Sequence, residues 1–518
     1  MSKIHVLYVG NDDWTTKYSI PDNIEFEVYE SDESEPSTNR PARKLMDLVI
    51  LDRDITLSEE KKFTKFTRGY CLFATENVQM LNSATSRYFK ARMGQYLYTG
   101  DVQYFLAHEV RNYYPNPYGE KFNPAKLAVS DSFTGRVACD GNYNLVLDGE
   151  FGEDFSQIAY WRYNIPVFEG QCIDMYLEYE KTGDVEIKLR LFQFYYGSIG
   201  DIKQVWEFDE EQLQDVFRID NESDQGPVFV SILARGTGSL NIISLHDRHS
   251  RRGHGFFLPG GERLVSSKGE EVFVYFEKGD MKPPLAVYFS GYRTQEGFEG
   301  YYMMRGFGCP FILVTDPRSE GGAFYLGDSE FEQMITDYVT DKLDELGLTK
   351  DELVLSGASM GTFGSLYYGS KLSPHALLLA KPLANMGNVA RNERILRAGG
   401  FATSLDILMK NYDNLSDEAI EQLNNRMWDR FDSADWSQTK FIISYLYEDD
   451  YDPDGYPSIL SHLKSSGVEV YGKGSHGRHT DNSSNVMAWF KSQYNNLLHD
   501  DFQDKQINVA GHTVRCEQ

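Results

Sequence analysis

The stretch LVLSGASMGTFGSLYYG, residues 353–369, decides the fold of the C-terminal half of the chain. A short apolar run leads into the motif Gly-Ala-Ser-Met-Gly, with its serine at position 359, and a segment of small and apolar residues follows. This order predicts a buried strand that reverses into a helix at a serine between two glycines. Ser359 either fills space in a tight turn, or the turn presents its hydroxyl for chemistry.

The surroundings of Ser359 favour the chemical interpretation. A Gly-x-Ser-x-Gly motif between a buried strand and a helix is the nucleophile elbow of α/β-hydrolases, where the serine backbone is strained and its neighbours must be small. Gly357 and Gly361 supply that space. The positive end of the helix also favours an oxyanion at this point. We therefore predict two oxyanion-hole donors, the backbone N–H of Met360 and that of Tyr292, which follows LAVYFSG.

The motif lies in a region, residues 265–500, where strand-like and helix-like segments alternate. A long helix-compatible segment, FEQMITDYVTDKLDELG, occurs among seven apolar segments that are typical of buried strands: EVFVYFEKG, LAVYFSG, PFILVTDP, ELVLSG, HALLLAKPL, FIISYLYE and VEVYGKG. This alternation predicts an α/β fold, an α/β-hydrolase-like doubly wound sheet whose loops at the carboxyl ends of the strands carry the site.

A serine hydroxyl is a poor nucleophile unless a base removes its proton, so the hypothesis requires a histidine and an acid that orients it. In this fold the acid follows the serine and the histidine comes last. Counting along FIISYLYEDDYDP selects Asp449 as the acid, with Glu448 and Asp450 one position away. The last strand leads into SHGRHTDNSS, so the base is His479 or His476. His479 is favoured because His476 lies inside a glycine turn.

The residues before this region divide into two further predicted domains. Residues 1–120 predict a small α/β domain, because IHVLYVG and LMDLVILD are typical of buried parallel strands and residues 58–67 are compatible with a helix. Residues 113–124, YYPNPYGEKFNP, are interpreted as a linker. Between 125 and 262, short alternating segments separated by turn residues predict a β-sandwich. Residues 501–518 are interpreted as a polar tail.

Two features of the predicted sandwich have more than one interpretation. Its aromatic residues are expected to fill the core, and a platform for stacking a sugar ring is the alternative; they include Tyr160, Trp161, Tyr163, Phe192, Phe194, Tyr195 and Tyr196. The segment LHDRHSRRGHG, residues 245–255, is rich in histidine and arginine. It is interpreted as a flexible basic loop that touches an acidic partner, rather than as a metal site, because no carboxylate or cysteine pattern completes a ligand set.

Composition excludes several classes of function. The chain has 518 residues and a formal net charge of -27, which argues against binding to nucleic acid or to an anionic membrane. Its five cysteines are scattered singly, which fits reduced thiols in the cytoplasm better than disulfides or a zinc site. No signal peptide or membrane-spanning segment is expected. YVGNDD lacks the further glycines of a dinucleotide motif, so nothing supports ATP binding. No cofactor is expected, because an acyl-enzyme route through a serine needs neither a metal nor an organic group.

Taken together, the serine motif GASMG, the stretch YLYEDDYD and the sequence GRHTD make the chain resemble the second accessory Sec system protein family of Gram-positive bacteria. The resemblance spans nearly all of the chain, and it rests on the combined layout because the serine motif alone is generic. It implies an α/β-hydrolase-like domain joined to a carbohydrate-binding-like sandwich. It places the nucleophile on Ser359 and the base on His479. The family's acid is a glutamate, which leaves Glu448 beside Asp449 as a candidate.

The resemblance also implies two roles. One is O-acetylation of N-acetylglucosamine on a serine-rich repeat adhesin through an acyl-enzyme. The other is assembly with the other accessory Sec system proteins and the accessory Sec motor ATPase that export this adhesin. The protein would then be cytoplasmic or peripheral at the translocon. Two alternatives stay open, a catalytically inactive docking factor of the export complex and a carbohydrate acetylesterase.

Overall fold

A computed structural model of the chain describes residues 3–29, 45–80, 82–114, 119–198, 200–221, 224–464 and 467–503. Within these residues the chain forms three sheets that follow one another along the sequence. The predicted polar tail lies outside the described residues from position 504 onward, and so does Cys516. The four described cysteines are free thiols.

The first sheet has five parallel strands in the order β2-β1-β3-β4-β5, with bounds β1 Ile4–Val9, β2 Ile24–Tyr29, β3 Leu48–Leu51, β4 Leu72–Ala74 and β5 Gln95–Tyr96. Strands β1 and β3 are fully buried neighbours, as the two apolar runs predict. The accompanying helices are α1 Trp14–Lys17, α2 Leu57–Phe63, α3 Ser83–Ala91 and α4 Val102–Tyr104. Helix α2 begins at a capping box of Thr56 and Glu59 and ends before the predicted limit.

The second sheet, called the sandwich below, is antiparallel and folds around its own apolar core, as the alternating segments predict. Its ten strands are β6 Gly119–Phe122, β7 Leu127–Val129, β8 Arg136–Asp140, β9 Asn144–Trp161, β10 Ile165–Val167, β11 Cys172–Gly183, β12 Glu186–Phe194, β13 Ile202–Asp209, β14 Phe217–Asp220 and β15 Gly226–His249, with helix α5 at Glu210–Leu213. The aromatic residues divide between core and surface: Trp161 is buried, Tyr160 and Phe192 pack on Phe229, and Tyr196 is exposed.

Strand β15 joins two segments, VFVSILARG and LNIISLHDR, that alternate like separate strands in the sequence. The glycines between them do not form a turn. A Cβ at Gly238 would lie 2.1 Å from the carbonyl oxygen of Thr182 on β11, so glycine permits close approach of the two strands. Register shifts near Gly236 let this long strand bend while it pairs with β9, β11 and β12.

The third sheet has eight strands in the order β16-β17-β19-β18-β20-β21-β22-β23, with bounds β16 Glu262–Val265, β17 Glu271–Glu277, β18 Leu285–Phe289, β19 Phe311–Thr315, β20 Leu353–Ala358, β21 Ala376–Ala380, β22 Lys440–Leu446 and β23 Val470–Ser475. Strand β17 runs antiparallel to β16 and β19, and the other pairs are parallel. The order of strands is that of a doubly wound sheet, which confirms the predicted fold class.

Helices cover both faces of this sheet: α6 Tyr301–Phe307, α7 Ser329–Leu346, α8 Met360–Leu372, α9 Met386–Ile395, α10 Thr403–Tyr412, α11 Asp417–Asp432, α12 Gly455–Leu463 and α13 Ser483–Leu497. Side chains of α7 to α12 share one apolar cluster with the sheet, and those of α6 and α13 share the cluster on the opposite face. Both faces of the parallel strands are therefore buried, and the loops at their carboxyl ends meet at one edge.

Two predictions about the sandwich and its flanks are wrong. Residues 245–255 are not a flexible basic loop, because their first part belongs to β15 and the Arg248 guanidinium is buried between the carboxylates of Glu271 and Glu296. Its buried positive charge is paired with acids that are distant in the sequence, and the composition of the segment alone does not reveal this pairing. Within the predicted linker, Gly119–Phe122 is strand β6 and pairs with β15, while residues 115–118 lie outside the described part of the chain.

Candidate active site

The turn between β20 and α8 has the geometry of a nucleophile elbow. Ser359 adopts φ 52° and ψ -120°, a conformation that L-residues rarely tolerate. A Cβ at Gly357 would lie 2.3 Å from the backbone of Gly361, and a Cβ at Gly361 would lie 2.0 Å from the carbonyl oxygen of Phe289. Both glycines are therefore sterically required, and the packing they permit holds the serine in its strained conformation.

Ser359, His479 and Asp449 form one hydrogen-bonded chain at the carboxyl edge of the sheet. Ser359 Oγ lies 2.8 Å from His479 Nε2, and His479 Nδ1 lies 2.8 Å from Asp449 Oδ2. The side chains of His479 and Asp449 are only 5% and 6% exposed. Since a carboxylate only accepts hydrogen bonds, His479 Nδ1 donates to Asp449 and Nε2 is left to accept the serine proton.

The other predicted candidates for acid and base lie apart from this chain. Glu448 accepts hydrogen bonds from His476 Nδ1 at 2.8 Å and from the N–H of Gly477 at 2.7 Å. These two donors, the Gly477 N–H foremost, lower the pKa of Glu448. The His476 ring is 84% exposed, so this pair lies at the surface. The structure therefore brings Asp449, and not Glu448, to the imidazole of His479.

Asp450 holds the backbone beside the base rather than its ring. Its Oδ1 accepts a hydrogen bond from the N–H of His479 at 3.1 Å, and its Oδ2 pairs with Arg397 Nε at 3.2 Å. Burial opposes ionisation of Asp450, but these two interactions outweigh it and lower the pKa of the carboxyl. The charged form of Asp450 thus helps to fix the loop that carries His479.

A stack of three side chains covers the imidazole. The ring of Tyr451 lies parallel to that of His479, with 4.3 Å between centroids and 9° between planes. Two further side chains hold Tyr451 in turn. The Arg397 guanidinium lies 3.7 Å from the centroid of the Tyr451 ring, and the Phe401 ring stacks on Tyr451. Because these contacts restrict rotation of the His479 ring, they keep its Nε2 directed at Ser359. The sequence does not predict these contacts, and its one signal for them is the aromatic residue two positions after Asp449.

Lys381 supports the same loop from the other side. Its Nζ donates to the carbonyl oxygen of His479 and to Ser483 Oγ, both at 2.7 Å. Burial lowers the pKa of the Lys381 ammonium, and the nearby Asp449 charge opposes this effect. The sequence does not predict this role of Lys381, because a single lysine after an apolar strand is not part of a recognisable motif.

The serine opens into a cavity of about 520 Å³ whose walls include His479, Tyr451, Tyr292 and residues 399–403. The residues on either side of Tyr292 already use their backbone N–H groups. Gly291 donates to the Glu299 carboxylate, and Arg293 donates to the carbonyl oxygen of Gly321. Met360 is the first residue of α8, where backbone N–H groups have no partner within the helix. Of the two residues predicted for the oxyanion hole, Tyr292 lines the cavity, and Met360 directly follows Ser359 in the chain.

This arrangement can carry out acyl transfer. The imidazole can take the serine proton, Asp449 can stabilise the resulting imidazolium, and the cavity has room for an ester and a second nucleophile. Within the described residues no group of three or more His, Cys, Asp or Glu side chains is placed to hold a metal ion. No helix among the described residues has the length and apolarity needed to cross a bilayer.

A doubly wound sheet with a strained serine elbow and a Ser–His–Asp chain at its carboxyl edge defines the α/β-hydrolase class of folds. Within this class, the family model described as "Accessory Sec system GspB-transporter" matches residues 4–504. The chain belongs to this family, as the resemblance in the sequence predicts.

Two relatives and one solved structure agree with this assignment. The second accessory Sec system protein of Streptococcus gordonii is 35% identical over 519 residues, covering 98% of this chain and 100% of the relative. Its namesake in Staphylococcus aureus (strain NCTC 8325 / PS 47) is 41% identical over 385 residues, 74% of each chain. A chain of the Glycosylation Associate Protein (Gap123) complex from Streptococcus agalactiae is 35% identical with a TM-score of 0.82, covering 96% of this chain and 98% of that one.

Proposed function

We propose that the protein is a serine-dependent O-acetyltransferase that modifies N-acetylglucosamine on a serine-rich repeat adhesin before accessory Sec export. The observation that carries the proposal is the chain from Ser359 through His479 to Asp449, with both hydrogen bonds at 2.8 Å and the serine in a strained turn. Strain of this kind persists only where the surrounding packing enforces it, and such sites are commonly functional.

The first half of the reaction forms an acetyl-enzyme. Ser359 Oγ attacks the carbonyl carbon of an acetyl ester or thioester donor, and its proton passes to His479 Nε2. The N–H groups of Met360 and Tyr292 stabilise the oxyanion that develops. The donor's leaving group departs with the proton from His479, and the acetyl group remains as an ester on Ser359. Asp449 stabilises the imidazolium between these two proton transfers.

The second half transfers the acetyl group to the sugar. A hydroxyl of the acceptor gives its proton to His479 Nε2 while its oxygen attacks the acetyl-enzyme carbonyl. The tetrahedral intermediate then releases Ser359 Oγ, which takes the proton back from His479. Water would give hydrolysis by the same steps, so transfer requires that the sugar occupy the cavity in preference to water.

The proposal includes assembly with other accessory Sec system proteins and with the motor ATPase that exports the adhesin. The family assignment supports it, as does the close structural similarity to a chain of the Gap123 complex. Purification of the full chain from cells that contain the export proteins should recover these partners, and recovery of none of them would contradict this part.

A fluorophosphonate probe tests the nucleophile, because it labels only an activated serine. We expect labelling of the wild-type protein at Ser359 and none after His479→Ala. His476→Ala is the matched control, since that ring is exposed and contacts Glu448 instead, and its labelling should equal that of the wild type. An unlabelled wild-type protein would favour the alternative of an inactive docking factor.

Mass spectrometry of the adhesin glycan tests the direction of the reaction. Wild-type protein should add the mass of one acetyl group per modified sugar, and Ser359→Ala should add none. Removal of acetyl groups from a pre-acetylated glycan would instead identify an acetylesterase. Full sugar acetylation by the Ser359→Ala variant would contradict the proposed function.

A further inference from the structure

A second cavity, of about 290 Å³, lies where the sandwich meets the doubly wound sheet. Glu120, Asn123 and Lys126 line it from the sandwich side, and Thr294 and Gln295 line it from the loop after β18. Its volume is at the lower end of the range for small-molecule sites. Its walls offer amide, hydroxyl and both signs of charge, which suits a ligand that has many hydroxyl groups and no net charge.

This cavity adjoins the candidate active site. Glu320 lines both cavities, so they share this residue as a border. Gly291 and Tyr292 line the cavity of Ser359, and Thr294 follows two positions later along the same loop. A ligand that is longer than one ring could therefore occupy both cavities at once.

The boundary between the cavities is held by contacts from both sides. Glu320 Oε2 accepts a hydrogen bond from Asn142 Nδ2 on the sandwich, and the Glu320 carbonyl accepts one from Thr403 Oγ1, both at 2.7 Å. The N–H of Glu296 donates to the carbonyl of Gly119 at 2.8 Å, which attaches the loop after β18 to strand β6. The site is thus built from two parts of the chain in one fixed arrangement.

Asn123 lines this cavity and carries a hydrogen-bonding group that is not used. The residue is only 8% exposed, and its Oδ1 is buried without a hydrogen-bond partner within the part of the chain that the structure describes. A buried amide oxygen without a partner is unfavourable, and buried polar groups are normally satisfied. A rotation of the Asn123 side chain that turns this oxygen toward the cavity would let a hydroxyl of a ligand satisfy it.

We propose that this second cavity binds one sugar residue of the acceptor glycoprotein, next to the sugar whose hydroxyl enters the cavity of Ser359. The inference rests on the proposed acetyl transfer and names where its acceptor is held. The net charge of -27 disfavours an anionic sugar nucleotide or sugar phosphate and favours a neutral glycan. That this glycan is linked to protein follows from the proposed function.

Binding can be measured without catalysis by using the full chain with Ser359→Ala. The probe is a serine-rich peptide that carries an O-linked disaccharide containing N-acetylglucosamine, with the same unglycosylated peptide and free N-acetylglucosamine as comparisons. In this background, Asn123→Leu and Gln295→Ala should each weaken glycopeptide binding about tenfold, the effect of one lost hydrogen bond. Gln204→Ala, on the exposed face of edge strand β13, is the matched control and should bind as the parent does.

Equal affinity of both variants and the parent would overturn the proposal, and so would equal binding of the unglycosylated peptide. Gln295 is exposed, so its variant keeps the test valid if Asn123→Leu lowers the midpoint of thermal unfolding. A wild-type protein that binds the glycopeptide through these residues but forms no acetyl-enzyme would support the sugar site while contradicting the proposed function. With an active enzyme, Gln295→Ala should raise the ratio of hydrolysis to acetyl transfer about tenfold.

Discussion

Replacement of Asp449 by asparagine should disable the base without a change in side-chain shape. In the wild type, Asp449 Oδ1 accepts hydrogen bonds from the N–H groups of Tyr451 at 2.9 Å and Asp452 at 3.2 Å, while Oδ2 accepts from His479 Nδ1. An amide has one oxygen, and the two backbone donors require it at the Oδ1 position. The NH₂ group of asparagine then faces His479 Nδ1 and can only donate.

The imidazole must respond by changing tautomer. With a donor opposite Nδ1, the neutral ring carries its proton on Nε2, which then donates to Ser359 Oγ and cannot accept the serine proton. Loss of the correct tautomer in a serine triad lowers the rate about 10⁴-fold, which corresponds to about 5.4 kcal/mol of transition-state stabilisation.

The assay is the second-order rate constant for labelling by a fluorophosphonate, together with the hydrolysis of 4-nitrophenyl acetate. Glu448→Gln is the matched control because, among the residues that the structure describes, that carboxylate binds the surface turn at His476 and Gly477 and not His479. We expect its rates to stay near the wild-type values. A rate for Asp449→Asn within tenfold of the wild type would contradict the proposed change of tautomer. Equal losses in the two variants would refute it as well.

Three further predictions concern stability. Ser359→Gly should abolish labelling yet raise the free energy of unfolding by about 1 kcal/mol in urea denaturation, because glycine adopts this backbone conformation without strain. Gly361→Ala should lower that free energy by about 3 kcal/mol, because its Cβ would clash with the Phe289 carbonyl, whereas Gly306→Ala on open helix surface should be neutral or stabilising. Burial raises the pKa of Asp406 from 3.8 to about 7. The folded state therefore holds this proton more tightly than the unfolded state, and the stability that results is complete below about pH 4 and is lost as the pH rises to about 7. Asp406→Asn should remove this slope of up to about 1.4 kcal/mol per pH unit in urea titrations.

The sequence predicts the doubly wound sheet and the order of Ser359, Asp449 and His479 because both depend on local patterns. Buried parallel strands are continuous apolar runs, and the carboxyl ends of such strands meet at one edge whatever the lengths of the helices between them. The elbow also requires small residues on both sides of the strained serine. Two glycines meet this requirement, and they can be recognised in the sequence.

The sequence does not predict contacts that join separate regions of the chain. Arg248 looks like part of a basic loop until Glu271 and Glu296 are placed beside it in space. Arg397 and Tyr451 belong to different loops, and only the folded chain stacks them over His479. These contacts depend on tertiary distances, for which a single sequence has no periodic signal.

The acidic residues after β22 illustrate the same limit most clearly, since in the sequence most of them resemble a solvated loop. In the structure four of them bind specific groups: Glu448 the turn at residues 476–477, Asp449 the imidazole of His479, Asp450 the backbone of His479, and Asp452 the N–H groups of residues 384 and 385 before α9. One loop thus connects the segments after β21 and β23. Because Asp449 and Asp450 hold the ring and the backbone of the same histidine, their substitutions should couple rather than add, and the rate loss in the double variant should differ from the sum of the single losses expressed as free energies.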